Sequence, residues 1–147
     1  MSTIETINKY FSLVKFSHTI FALPFAFIGY FYALVSTNTP FDWLLLVKVL
    51  LCMVLARNTA MGFNRWADRD IDAANPRTAG REIPAGVISP KSALTFTLVN
   101  AMLFLGVSAW INNMTLILAP IALFIIMGYS YTKRFTAMSH FVLGTSL

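Results

Sequence analysis

Four apolar runs, each about as long as a bilayer crossing, decide what this chain is able to fold into. They occupy 17–36, 42–63, 91–111 and 114–132, and a fifth begins near 137. An α-helix needs about 20 apolar residues to cross the hydrocarbon core. There the backbone finds no water, so its polar groups must be satisfied within the segment. The expected architecture is therefore all-α: a multi-pass transmembrane bundle of about four complete helices plus a partial fifth. Only 12% of residues are charged and 57% are hydrophobic, where a soluble domain carries about 25% charged residues.

The breaks between runs are well marked. The tetrapeptide at 37–40, TNTP, and the pair Asn112 and Asn113 are turn signals. Ser89 is placed to cap the third helix, with Pro90 at its first position. Pro24 and Pro120 fall within the first and fourth runs and are expected to kink them. The N-terminal lead, with Glu5, Asn8 and Lys9, is mixed and amphipathic. The apolar run after it is too long for a secretory signal, so the first helix is expected to be retained. The single cysteine, Cys52, lies inside an apolar run. It excludes a disulfide within the chain and reads as packing.

Lysine and arginine orient the bundle. Lys9 and Lys15 precede the first run. Arg65, Arg69, Arg77, Arg81 and Lys91 lie in or beside the connection between the second and third. Lys133 and Arg134 follow the fourth. Alternating spans put all nine on one side, which the positive-inside rule makes cytoplasmic. This placement explains a net charge of +5 without nucleic acid. The two remaining cations lie inside the second run. Lys48 is near the outer end and is able to snorkel. Arg57 lies about 10 Å from the inner end, at 1.5 Å per residue.

The stretch 61–90, MGFNRWADRDIDAANPRTAGREIPAGVISP, holds most of the acidic residues and Arg65, Arg69, Arg77 and Arg81. If the second helix continues past Phe63, Asn64, Asp68 and Asp72 share one face, because residues four apart are neighbours. Two stacked carboxylates repel, so a cation belongs between them. Two acids and a side-chain carbonyl suit Mg²⁺, which completes its octahedron with water and phosphate oxygens. Asp70 is off this face. Arg57, close to two turns earlier, shares the face one storey deeper, and an arginine at that depth normally faces a cavity or partner. Arg77 and Arg81 are four apart and placed to close over the site as a basic lid, since guanidinium forks suit phosphate oxygens. The ligand such a pocket fits has a polyphosphate head and an oily tail. The plainer reading is a solvated loop, with Arg65–Asp68 and Arg69–Asp72 as surface ion pairs. No Cys/His cluster suggests zinc. Tyr129 and Tyr131 are placed to border a cavity near the inner face.

The segment 64–86, NRWADRDIDAANPRTAGREIPAG, resembles the first aspartate-rich motif of the UbiA superfamily of intramembrane prenyltransferases. That motif reads N-x-x-x-D-x-x-x-D, then R-T and R-x-x-P-x-G. Asn64, Asp68, Asp72, Arg77, Thr78, Arg81, Pro84 and Gly86 match it. KFSHTIFALPFAFIG at 15–29 and YSYTKRFTAMSHFVLG at 129–144 resemble flanking helices of the 4-hydroxybenzoate polyprenyltransferase branch. The resemblance implies helices around a central cavity, with Asn64, Asp68 and Asp72 holding Mg²⁺ against a polyprenyl diphosphate. It makes Arg57, Arg77, Arg81, Lys133 and Arg134 candidates for diphosphate contacts. Lys133 and Arg134 are equally suited to an acceptor carboxylate. The implied reaction is prenyl transfer to an aromatic acceptor, 4-hydroxybenzoate, in ubiquinone or menaquinone biosynthesis. Haem O synthesis, dihydroxynaphthoate prenylation and a non-catalytic membrane fragment are the alternatives.

Two departures from the family pattern stand out. Many members carry Asp directly after the motif's Asn, where this chain has Arg65; lying off the ridge, it is expected to have little effect. Members are also about twice as long and carry a second aspartate-rich motif in the other half. No acidic residue follows Glu82 here. The resemblance thus implies an N-terminal half, inactive by itself, with the C-terminal half completing the site.

Overall fold

The computed structural model describes residues 3–132. Among them are six α-helices and one 3-10 segment: α1 (Thr3–Leu13), the 3-10 turns at Phe16–Ala22, α2 (Leu23–Thr37), α3 (Trp43–Ala67), α4 (Arg69–Ala74), α5 (Pro90–Ile111) and α6 (Asn113–Thr132). Four stretches are long and apolar enough to span a membrane: Thr19–Thr37, Trp43–Ala67, Pro90–Ile111 and Asn113–Tyr131. Lys133, Arg134 and the fifth run from 137 lie outside the described residues.

Two boundaries differ from the sequence expectation for clear local reasons. The first span is not one helix over 17–36. Pro24 sits in the first turn of α2, where its missing N–H costs nothing, and the residues before it wind as 3-10 turns. Helix α3 was expected over 42–63 and runs on to Ala67. The extra turn is kept because the connecting loop folds back over it. Elsewhere the capping chemistry is plain. Asp42 accepts from Leu44 N at 2.8 Å to start α3, and Ser89 accepts from Ser92 N at 3.1 Å to start α5, with Pro90 first in the helix.

The centre of the bundle is the packing of α3, α5 and α6. Ala101, Phe104, Ala119 and Leu123 are buried there against Cys52, Leu55 and Ala56. A membrane offers no hydrophobic drive between helices, so close approach and internal hydrogen bonds must hold them. Both occur on the α3–α5 seam. A Cβ added at Gly62 would lie 2.5 Å from Thr97 Oγ1. Asn58 donates to Asn100 Oδ1 at 3.1 Å, and Asn100 donates to Phe96 O at 2.8 Å. The buried hydroxyls of Thr59 and Thr97 donate to carbonyls one turn back, Leu55 O and Ala93 O.

Helix α2 packs on α3 through Tyr30, Leu34 and Leu46. Tyr30 ties the end far from the charged loop, donating to Asp42 O at 2.6 Å while accepting from Asp42 N. At that end Lys48 Nζ donates to Trp110 O at 3.2 Å and stands 4.6 Å from the Trp110 ring centroid. The outward surface is apolar: Phe21, Phe25, Val35 and Phe124 are each at least 75% exposed. Such a surface suits lipid rather than water.

Candidate functional site

Helix α3 carries the site. Its final turns do not stop cleanly at Ala67. Asp68 leaves helical geometry only slightly, at φ −86° and ψ 1°, before α4 begins. The i to i−4 pattern survives the joint: Asp68 N donates to Asn64 O at 2.9 Å, and Asp72 N donates to Asp68 O at 2.8 Å. Asn64, Asp68 and Asp72 therefore follow one another along a nearly continuous helical run. Asp68 is 7% exposed and Asp72 5% exposed, which is deep burial for carboxylates on a connecting segment. Asp70, by contrast, is exposed and pairs loosely with Arg69 at 3.7 Å.

The loop then returns to cover the acids. Asn75 starts the return, its Oδ1 accepting from Arg77 N at 3.0 Å and its backbone carbonyl from Thr78 N and Ala79 N. Thr78 Oγ1 donates to Asp72 O at 3.0 Å. This brings Arg81 onto Asp72, with Nη1 at 2.7 Å from Oδ1 and 2.8 Å from Oδ2. Gly86 takes φ 72°, a left-handed turn that suits glycine. Ile83 and Ile88 then bury against Leu13 and Ala93, with Tyr10, Trp66 and Phe96 alongside. Ser12 of α1 fastens the same loop, donating to Glu82 Oε1 at 2.5 Å.

The two arginines expected to form the lid behave differently. Arg81 is brought to the acids. Arg77 is exposed, and the loop bends at Asn75 in a way that leaves its side chain outside. The surface pair expected between Arg69 and Asp72 is replaced: Arg69 stacks 5.0 Å from the Trp66 ring and donates to Trp66 O, while Asp72 takes Arg81. Arg57 is half-buried in α3, and its Nε is buried without a hydrogen-bond partner among the described residues. Tyr131 meets Phe63 edge-on, ring centroids 5.7 Å apart.

Arg65 lies deeper than its place off the ridge suggests. It was expected to matter little because it leaves the ridge. Instead it is 5% exposed, within electrostatic reach of Asp68, Asp72, Glu82 and Arg81. Its Nη1 is buried without a hydrogen bond among the described residues. Its neighbours on the helix do not reveal this burial. The apolar Ile83 and Ile88 in an otherwise polar loop were the available signal, because they require the loop to fold back onto the bundle.

A donor set can be weighed for a divalent cation. No three His, Cys, Asp or Glu side chains gather into a metal cage among the described residues. Two buried acids and an amide one turn apart instead match magnesium carried by a phosphate, which needs only one or two carboxylates from the protein. Asp72 is paired with Arg81.

Comparisons with known proteins give the family. A family model described as the UbiA prenyltransferase family matches residues 22–147. The 4-hydroxybenzoate octaprenyltransferase of Thiobacillus denitrificans is 32% identical over 146 residues, covering 99% of this chain and 50% of that protein. The apo structure of a UbiA homolog from Aeropyrum pernix superposes with a TM-score of 0.78 at 33% identity, over 87% of this chain and 45% of the other. A structure described for digeranylgeranylglyceryl phosphate synthase in membranes superposes with a TM-score of 0.83 at 26% identity, over 95% and 49%. The chain spans half or less of the length of the curated relatives it matches. With four membrane-spanning helices and an aspartate ridge closed by its own loop, the chain is an integral membrane protein and belongs to the UbiA prenyltransferase family.

Proposed function

We propose that this chain provides one limb of an active site that moves a prenyl group from a polyprenyl diphosphate to an aromatic acceptor, 4-hydroxybenzoate. The observation that carries the reading is the ridge itself: Asp68 and Asp72 buried in register, with Arg81 folded onto Asp72. The acceptor is suggested by the printed name of the Thiobacillus denitrificans relative. The positive-inside asymmetry supports a site on the cytoplasmic side.

Asn64, Asp68 and Asp72 are the residues that would hold Mg²⁺ with the diphosphate. Bound there, the ion supplies charge to stabilise the leaving group. Arg57 and Arg81 do the same work from the protein. Arg57 lies one storey deeper, where its buried Nε has no hydrogen bond among the described residues. Arg81 holds Asp72 while the site waits and turns its guanidinium to phosphate oxygens when the headgroup arrives. The apolar helix walls exclude water from the electron-poor allylic carbon until the aromatic ring attacks it. Lys133 and Arg134 lie outside the described residues, and the family resemblance makes them candidates for the diphosphate or the acceptor carboxylate.

Mg²⁺-dependent binding of a prenyl diphosphate tests this reading in reconstituted membranes. Asp68→Ala and Asp72→Ala are each expected to weaken binding at least tenfold and to remove its metal dependence. Metal-independent binding that survives both substitutions would reduce the ridge to a solvated loop. The 147-residue chain alone is expected to bind but not turn over. Steady product formation by that chain overturns the one-limb assignment.

A further inference from the structure

Helix α1 lies outside the site and has two distinct apolar faces. Tyr10, Leu13 and Val14 turn inward. Leu13 packs on Ile83, Ile88 and Ala93, and Tyr10 stacks on Phe96 with centroids 4.9 Å apart. Ile4, Ile7 and Phe11, spaced three and four apart, form a second ridge on one side. They are 71%, 48% and 46% exposed. Asn8 borders this ridge, one turn from Ile4, and Ser12, Glu5 and Lys9 continue the polar arc away from it, so the helix is amphipathic along its length.

The position of α1 says what covers the exposed ridge. Eleven residues reach only about 16 Å, half of a hydrocarbon core. Lys15, at φ 45°, bends the chain directly into the first span, so α1 cannot leave the membrane boundary. It rests against Asn58 and Phe96, which lie about 13 Å and 9 Å inside the loop-side ends of α3 and α5 at 1.5 Å per residue. A cavity of about 280 Å³ between α1 and those spans is lined by Ile7, Phe11, Val14 and Phe96. Lys9 lies on the polar side of α1, Lys15 follows the helix, and the loop side as a whole is basic.

We propose that α1 is an interfacial helix. Its Ile4–Ile7–Phe11 ridge seats in the headgroup–acyl boundary of an anionic leaflet, and its inner face braces the aspartate loop through Leu13 and the Ser12–Glu82 hydrogen bond. An amphipathic helix with lysines at its polar edge suits that boundary, where apolar burial and attraction to anionic headgroups add. The seating is independent of any diphosphate chemistry.

Fluorescence in vesicles tests it. An environment-sensitive label is placed on Ile4→Cys, and separately on Phe11→Cys, in a Cys52→Ser background that leaves no other thiol. Both labels are expected to be quenched by lipids brominated near the headgroup end of the acyl chain. A label on Glu5→Cys is expected to be quenched by aqueous iodide instead. Hydrogen exchange across 77–88 is expected to quicken at least tenfold when Ile4→Glu and Phe11→Glu are combined. Iodide quenching at positions 4 and 11 overturns the seating. So does protection there that ignores brominated lipid and grows with protein density, because a second copy would then be the cover. Unchanged loop exchange in the double variant overturns the bracing.

Discussion

At the scale of single residues, Arg65 and Arg81 divide the work of neutralising buried acids. Arg81 contacts Asp72 directly but stays partly exposed, so it is free to leave. Arg65 is enclosed and serves Asp68, Asp72 and Glu82 together. Removing an enclosed cation from acids that remain is the costly direction, about 3 kcal/mol for a buried pair. Arg65→Ala is therefore expected to lower the thermal midpoint in detergent even without ligand. A variant as stable as the parent would show that the acids are hydrated in place. Arg81→Lys keeps the charge but gives up the planar fork that matches phosphate geometry. It is expected to retain stability and lose about tenfold in prenyl diphosphate affinity. Equal affinity would place Arg81 in a structural role only.

At the scale of elements, two forces on the α3–α5 seam can be ranked. The Asn58–Asn100 hydrogen bond is worth roughly 0.6 kcal/mol, as is usual inside membranes, because partners also exist in the separated state. Close packing at Gly62 is worth more. A valine there meets Thr97 Oγ1 with no side chain able to move aside cheaply, and overpacking costs about 1–3 kcal/mol. Gly62→Val is thus expected to destabilise more than Asn58→Leu, as read by thermal unfolding in the same detergent. The reverse order would mean that the polar pair is the stronger clasp. Legibility in the sequence follows the same division. Spans about 20 residues long and the four-residue spacing of Asn64, Asp68 and Asp72 are local properties, so they were readable. Arg81 was expected to cover the acids, but its specific pairing with Asp72 closes nine residues of loop, and the burial of Arg65 needs Ile83 and Ile88 to reach α1. Both depend on tertiary return of the chain, which no helical period encodes. The 3-10 opening of the first span was hidden for a related reason: composition marks an apolar run, while the place of Pro24 in its helix decides the winding.

At the scale of the whole molecule, three helices packed around α3 leave large apolar surfaces outward, and the charged loop caps one end. The Asn58–Asn100 pair and the Gly62–Thr97 contact sit on the same seam, about one helical turn apart. Sliding α5 by a turn would part the two amides and drive a methyl or hydroxyl into the glycine notch. The seam thus acts as a ratchet with a single tooth engaged. The loop leaves α3 at Ala67 and enters α5 at Pro90, so the one seam holds both of its ends. The charged loop hangs between those two ends like a gate between two posts.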